Sequence, residues 1–193
     1  MIYVLIGVAV LLVIWMVAEY NFFVTAKARI KAAVQEIGSQ LKRQADLIPN
    51  LVASAKGYLK HEKGIFEKLT DARKAVSGAL KSGDAQKMSA AGSKLAQILP
   101  SLQVAVEDNP ELKGSEVVTS LMNELRDTAD KLMYARRLVI DLTADYNVKR
   151  VTFPTSVLAN MFGFAELPGI ITPESGEHLE VKSSEMKSQK VDL

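Results

Sequence analysis

The chain opens with eighteen residues, MIYVLIGVAVLLVIWMVA, that carry no charge, and then changes to a mixed pattern in which apolar positions recur every seven residues. At 1.5 Å per residue a helix over the first stretch is about 27 Å long, close to the hydrocarbon thickness of a bilayer. Eleven of the eighteen are Leu, Ile or Val, and each favours insertion by about 0.3–0.6 kcal/mol at the centre of a span. The pattern predicts a membrane anchor over residues 1–19, with Tyr20, Phe22 and Phe23 at the interface. The competing reading, a cleaved signal peptide, lacks a basic leading segment and a small-residue cleavage site, and its apolar run is too long. No Lys or Arg precedes the run, whereas Lys27, Arg29 and Lys31 follow it. Positive-inside bias therefore places the amino terminus outside and the rest of the chain in the cytoplasm.

Past the anchor, one seam runs through Ile30, Ile37, Gln44, Leu51, Tyr58, Ile65 and Ala72. A second runs through Val34, Leu41, Ile48, Ala55, Glu62, Leu69 and Val76. Only Gln44 and Glu62 break the apolar series, which is a helical seam of coiled-coil type. Its phase is the same on both sides of Pro49, so the proline is expected to kink one helix over residues 20–80 rather than divide two. A second helix is predicted over 84–107, with Asp84 as N-cap. VEDNPELKGS is a turn, a third helix covers 115–150, and a short apolar one covers 155–163. From residue 165 Pro, Gly, Ser and charges dominate, and 165–193 reads as a disordered tail. The expected architecture is all-α, a transmembrane helix continuing into a long-helix antiparallel bundle over 20–164.

Several stretches carry a resemblance: YNFFVTAKARI, QLKRQADLIPNLVASAKGYLKHE, ELKGSE and ARRLVIDLTADYNVKRVTFPTSVLANMFGF. Together they resemble the LemA family of bacterial membrane proteins over roughly residues 20–164. The resemblance implies an amino-terminal membrane helix with a short external end and a cytoplasmic helical bundle, hence a single-pass protein of the bacterial inner membrane. It implies no activity. Where the family repeats a Tyr-Asn pair ahead of Tyr146-Asn147 this chain has Val139-Ile140, and Ala129 stands where a Glu is usual.

The chemistry available is limited. There is no cysteine, which removes disulfides, thiolate metal sites and thiol nucleophiles. A net charge of +2 with 6% aromatic residues does not describe a nucleic-acid surface. His61-Glu62 lacks the second histidine four residues on that a zincin needs, since position 65 is Ile65. Glu-x-x-His pairs of a carboxylate-bridged bundle are absent too, as are a phosphate loop and a nucleophile elbow. The reading is no enzyme, no cofactor, no metal and no small-molecule substrate.

Polar residues are instead expected in structural roles. Asp46 and Asn50 flank Pro49 and are placed to bond backbone groups freed by a kink. Glu62 is either a solvated rim residue or a buried carboxylate needing a cation. That cation would be Arg126 if helix 115–150 runs parallel to the first, and Arg136 or Arg137 if antiparallel. His61, Tyr146 and Asn147 complete the set of candidate polar sites.

Helix lengths supply the functional expectation. A helix from Ile30 to Leu80 is about 75 Å long and the next only about 36 Å. Folding back from Leu80, the second leaves the membrane-proximal seam (Ile30, Val34, Ile37, Leu41, Ile48, Leu51) without a partner. An uncovered stripe of that size marks an interface, so the chain is expected to bind a second copy or another membrane protein as a scaffold. Two alternatives are a membrane-surface remodelling protein touching lipid through Val157, Leu158, Met161 and Phe162, and a metal-binding bundle. Residues 19–82 hold twelve basic and six acidic groups, and a basic rod is attracted to an anionic leaflet.

Overall fold

A computed structural model describes residues 1–55, 57 and 63–171. Its elements are helices throughout: α1 (Ile2–Ala55), α2 (Lys63–Ser82), α3 (Ala85–Glu107), the single turn α4 (Pro110–Lys113), α5 (Glu116–Val151) and α6 (Thr155–Met161). The apolar segment and the first bundle helix are one element. α1 runs unbroken for 54 residues with Pro49 inside it, about 81 Å at the helical rise.

Local chemistry explains the other starts. Asp84 Oδ1 accepts from the Lys87 amide at 3.0 Å and Ser115 Oγ from the Val118 amide at 3.4 Å. These satisfy donors that the first turns of α3 and α5 leave orphaned. Gly83, at φ +66°, takes the left-handed conformation that lets the chain reverse between α2 and α3.

The helices alternate in direction. Leu80 of α2 lies beside Gly38 of α1, and Arg73 and Val76 line a groove with Lys42 and Ala45, so α2 runs back down α1. α3 rises again, with Met88 beside Gly38 and Gly92 beside Leu41. α5 descends: Arg43 pairs with Glu124 at 2.7 Å, and Lys149 with Glu19 at 2.8 Å. α5 makes the most extensive contact with α1. On α1 the buried residues Phe23, Ala26, Ile30, Ala33, Ile37, Gln40, Gln44, Leu47 and Leu51 alternate spacings of three and four, one helical stripe. α2 and α3 join it from Ala33 upward in one core, and a second core of Phe23, Ala26, Ile30, Tyr146, Ala159 and Phe164 forms at the lower end.

Three expectations are corrected. The helix expected over 20–80 is two helices: α1 ends at Ala55, Gly57 lies in a turn, and α2 packs back on α1. The chain reverses eight residues after Pro49, not at it. The seam expected to face a second copy is also covered. Ile30, Ile37, Leu41, Ile48 and Leu51 are buried within the chain and Val34 is half-buried, because α5 is long enough, about 54 Å, to follow α1 down to Glu19. Finally, the segment assigned to a disordered tail begins too early. Residues 165–171 are held against the bundle, and Ile170 is part of its core.

Leu41 is fully buried. Leu41→Ala is expected to cost about 2–5 kcal/mol through lost burial and a residual cavity. Leu41→Glu, which strands a carboxylate there, is expected to abolish the cooperative thermal transition followed by circular dichroism in detergent. A smaller particle with unaltered melting would instead restore the exposed-seam reading.

Candidate functional site

Two places in the bundle concentrate features that packing alone does not require. The first is its base, the end from which the apolar segment projects. Five rings meet there around α1: Phe23 stacks on Phe164 at 4.8 Å and meets Tyr146 edge-on at 5.4 Å, and Tyr20 meets Phe162 edge-on at 5.1 Å. Edge and offset contacts of this kind stabilise beyond the area they bury. Lys149 closes the cluster, its Nζ 2.8 Å from Glu19 Oε2 and 3.8 Å from the centre of the Phe22 ring. Phe23 therefore belongs to the core and not to an interface belt, whereas Tyr20 stays exposed.

Residues 164–171 run back along the bundle as a strap tied by side chains. Arg150 Nε donates to the Phe164 carbonyl at 2.9 Å and Tyr146 Oη to the Ala165 carbonyl at 3.0 Å. Asn147 exchanges two bonds with Leu167, and Gln86 two with Ile171, each pair occupying both the backbone amide and carbonyl. Burial pushes the Tyr146 hydroxyl above its ordinary value, against a smaller opposing pull from Arg150.

The outer surface of the base is apolar. Val148, Val151, Phe153, Val157, Met161 and Phe162 are all exposed, Phe153 at 80%. The level of Val151 follows from helix geometry, and Phe162 lies beside Tyr20. Lys149 is beside Glu19 and α5 descends, so Val151 is about 3 Å lower, near residue 17 of α1, inside the uncharged run. Trp15 and Met16 are half-covered while the preceding residues of the run are exposed. Leu158, expected to touch lipid, is buried, but Val157, Met161 and Phe162 do face outward.

The second place is a half-open cavity of about 260 Å³ between α1, α3 and α5, mostly apolar, with Gln44, Ser93 and Arg136 among its lining. Gln44 is 2% exposed and its Oε1 has no hydrogen-bond partner among the described residues. Gly92 keeps α3 and α5 close here, since a Cβ would stand 2.5 Å from Leu132 Cδ2.

The remaining candidate residues scatter. Tyr146 and Asn147 do hold structure, through the strap. Pro49 is half-buried inside α1, while Asp46 and Asn50 are exposed and neither makes a hydrogen bond among the described residues. α1 continues to Ala55 without their help. Asp46 lines the groove of about 540 Å³ between α1 and α2, among Lys42, Arg73, Lys74 and Lys81. α5 is antiparallel to α1, yet Arg136 donates to Ser93 Oγ at 3.3 Å and Arg137 lies 3.7 Å from Asp141. His61 and Glu62 fall outside the described residues. Among the described residues no group of three or more metal-binding side chains is assembled. The strap and the Gln44 cavity were not foreseen; Gln44 as a polar residue in an apolar seam was the available signal for the latter.

The model of the LemA family matches residues 33–182, and the chain belongs to that family. No curated protein matches it. Membership and the apolar amino-terminal helix, whose most apolar 18-residue window has mean hydropathy 2.5 and is unburied, fit a membrane-anchored helical protein.

Two measurements check the strap. Asn147→Ala removes both bonds to Leu167 and is expected to hasten protease cleavage within 165–171 at least severalfold without unfolding the bundle. Tyr146→Phe is expected to cost about 0.5–1.5 kcal/mol in chemical unfolding. Because folding raises the Tyr146 pKa, the folded state binds more protons above the ordinary value of 10.0, and stability falls as pH rises through it. The Tyr146→Phe protein should show a flatter decline above pH 10.

Proposed function

We propose that the protein is a single-pass anchor-and-bundle scaffold of the bacterial inner membrane. Its amino terminus lies outside, its bundle lies in the cytoplasm, and the base of the bundle is seated in the lipid interface. The scaffold binds other membrane proteins and catalyses nothing. The observation that carries the reading is the exposed apolar base, level with the last turns of the uncharged helix. Val151, Phe153, Val157 and Met161 form a surface that water disfavours and an interface accommodates.

The cytoplasmic orientation draws its support from Lys27, Arg29 and Lys31 following the span with no basic residue before it. A seated base removes the freedom of the bundle to tilt about its anchor. The faces presented to partners then keep a fixed height and angle above the membrane, which is what a scaffold requires. Partner binding belongs to those upper faces, since the Ile30–Leu51 seam is occupied by α5. Contact of the base with lipid is the part of the membrane-surface reading that the geometry favours; remodelling of the bilayer is not needed for it.

The chain has no cysteine, so single cysteines report position without background. Ser101→Cys, on the exposed face of α3, is expected to react with a membrane-impermeant maleimide only in inverted vesicles. Phe153→Cys is expected to react at least tenfold more slowly than Ser101→Cys in bilayers and at a comparable rate after full denaturation. Equal rates for the two in vesicles would show that the base stands free of lipid, and reaction of Ser101→Cys in right-side-out vesicles would reverse the topology.

A further inference from the structure

The cavity between α1, α3 and α5 has the composition of a small-molecule site. Its walls are apolar side chains such as Ile37, Leu132 and Met133, and its volume of about 260 Å³ is below the about 300–1,000 Å³ of pockets for drug-sized ligands. Ser89, Ser93, Gln97 and Asp130 also line it, but two polar groups, Gln44 and Arg136, are covered and lack a full set of partners. Gln44 is 2% exposed, and its Oε1 accepts from no donor among the described residues. A buried acceptor left unsatisfied costs stability, and an apolar residue of the same size would avoid that cost. The heptad neighbours of Gln44, Ile37 and Leu51, are apolar, so packing alone would be served by an apolar residue here. Gln40, one turn away, is a second buried amide with an unpartnered Oε1 among the described residues but does not line the cavity. Arg136 is half-buried. One of its nitrogens makes a 3.3 Å bond to Ser93 Oγ, and no carboxylate among the described residues pairs with it, which leaves a guanidinium able to grip an anion.

We infer that this cavity binds a small amphipathic carboxylic acid, its apolar body between α3 and α5, a hydrogen-bond donor on Gln44 Oε1 and its carboxylate on Arg136. Asp130 also lines the cavity but is exposed. It lies six residues from Arg136 along α5, about 9 Å, where solvent and salt screen its charge. The ligand would add a bridge between three helices that already meet here through Gly92 against Leu132 and Leu41 and through the Arg136–Ser93 bond, and its binding would stiffen the middle of the bundle. The inference is independent of the seated base.

Indole-3-acetate has the required parts, a ring body, one N–H and one carboxylate, and serves as the probe. In a methyl-labelled full-length chain in detergent, its addition is expected to shift the Ile37, Leu132 and Met133 methyl resonances saturably. Leu69 and Val76, buried but not lining the cavity, should stay in place. Gln44→Leu is expected to weaken binding of indole-3-acetate at least fivefold while leaving 1-methylindole-3-acetate, which lacks the donor, unchanged. Arg136→Gln should erase the preference for either acid over neutral indole. Ala129→Leu fills the cavity from α5 and should abolish binding of all of them, an outcome that does not depend on how Gln44→Leu folds. Shifts confined to the apolar span, or no saturable shift at the three cavity methyls up to millimolar probe, overturn the proposal.

Discussion

Everything in the molecule depends on the pairing of α1 with α5 over nearly their whole shared length. The bundle part of α1, from Glu19 to Ala55, and α5 are each about 55 Å long at the helical rise, so two antiparallel helices of equal length must end level with one another. The top of α5 meets the end of α1, and the bottom of α5 arrives at Glu19, where Lys149 closes an ion pair with it. That equality brings the last turn of α5 down to the end of the uncharged run, while α6 packs at the level of Tyr20 and Phe23. The level of the bundle's base along α1 is therefore a consequence of helix length, set before any single contact at the base is considered.

The shorter helices divide the bundle into two unlike halves. α2 and α3, of 20 and 23 residues, cover only the upper part of α1, where they share one core with α5. Below Ala33 no further long helix is present among the described residues, and α1 and α5 are covered there by α6, the ring cluster and the strap. The strap has no regular structure, so its backbone groups need partners from elsewhere. Tyr146, Asn147, Arg150 and Gln86 provide them. In the upper half, Gln44 sits in the buried seam with no partner for its Oε1 among the described residues, and that difference separates a structural amide from one free to bind.

Much of this was legible in the residues. The uncharged run declared the anchor, and Asp84, Ser115 and the Asn109-Pro110 turn marked helix boundaries within one or two residues because caps act locally. Val118, Leu125, Leu132 and Val139 of α5 recur every seven residues and are all buried, since burial follows the helical period wherever one face meets a neighbour. Pro49 was also read correctly as lying within a helix. The seam residues Ile37, Leu41 and Leu51 were recognised as apolar and in register, but whether another helix of the same chain covered them was not recoverable from their spacing.

What the sequence by itself determined was the set of elements and the face each would bury, because both arise from interactions within about a turn of helix. Only the tertiary structure decided how the elements are joined. The seven-residue phase of α1 continues into α2, with Ile65, Ala72, Leu69 and Val76 in step with Ile30 and Val34, although the chain reverses between them. Periodicity records which side of a helix is apolar and carries no information on whether the axis continues, so two helices packed back to back give the same pattern as one rod. From that single ambiguity came the expected length of 75 Å, the uncovered seam and the second copy. The strap was hidden for the complementary reason: its order comes from side chains fourteen to eighty-five residues away, and nothing within the segment itself announces them.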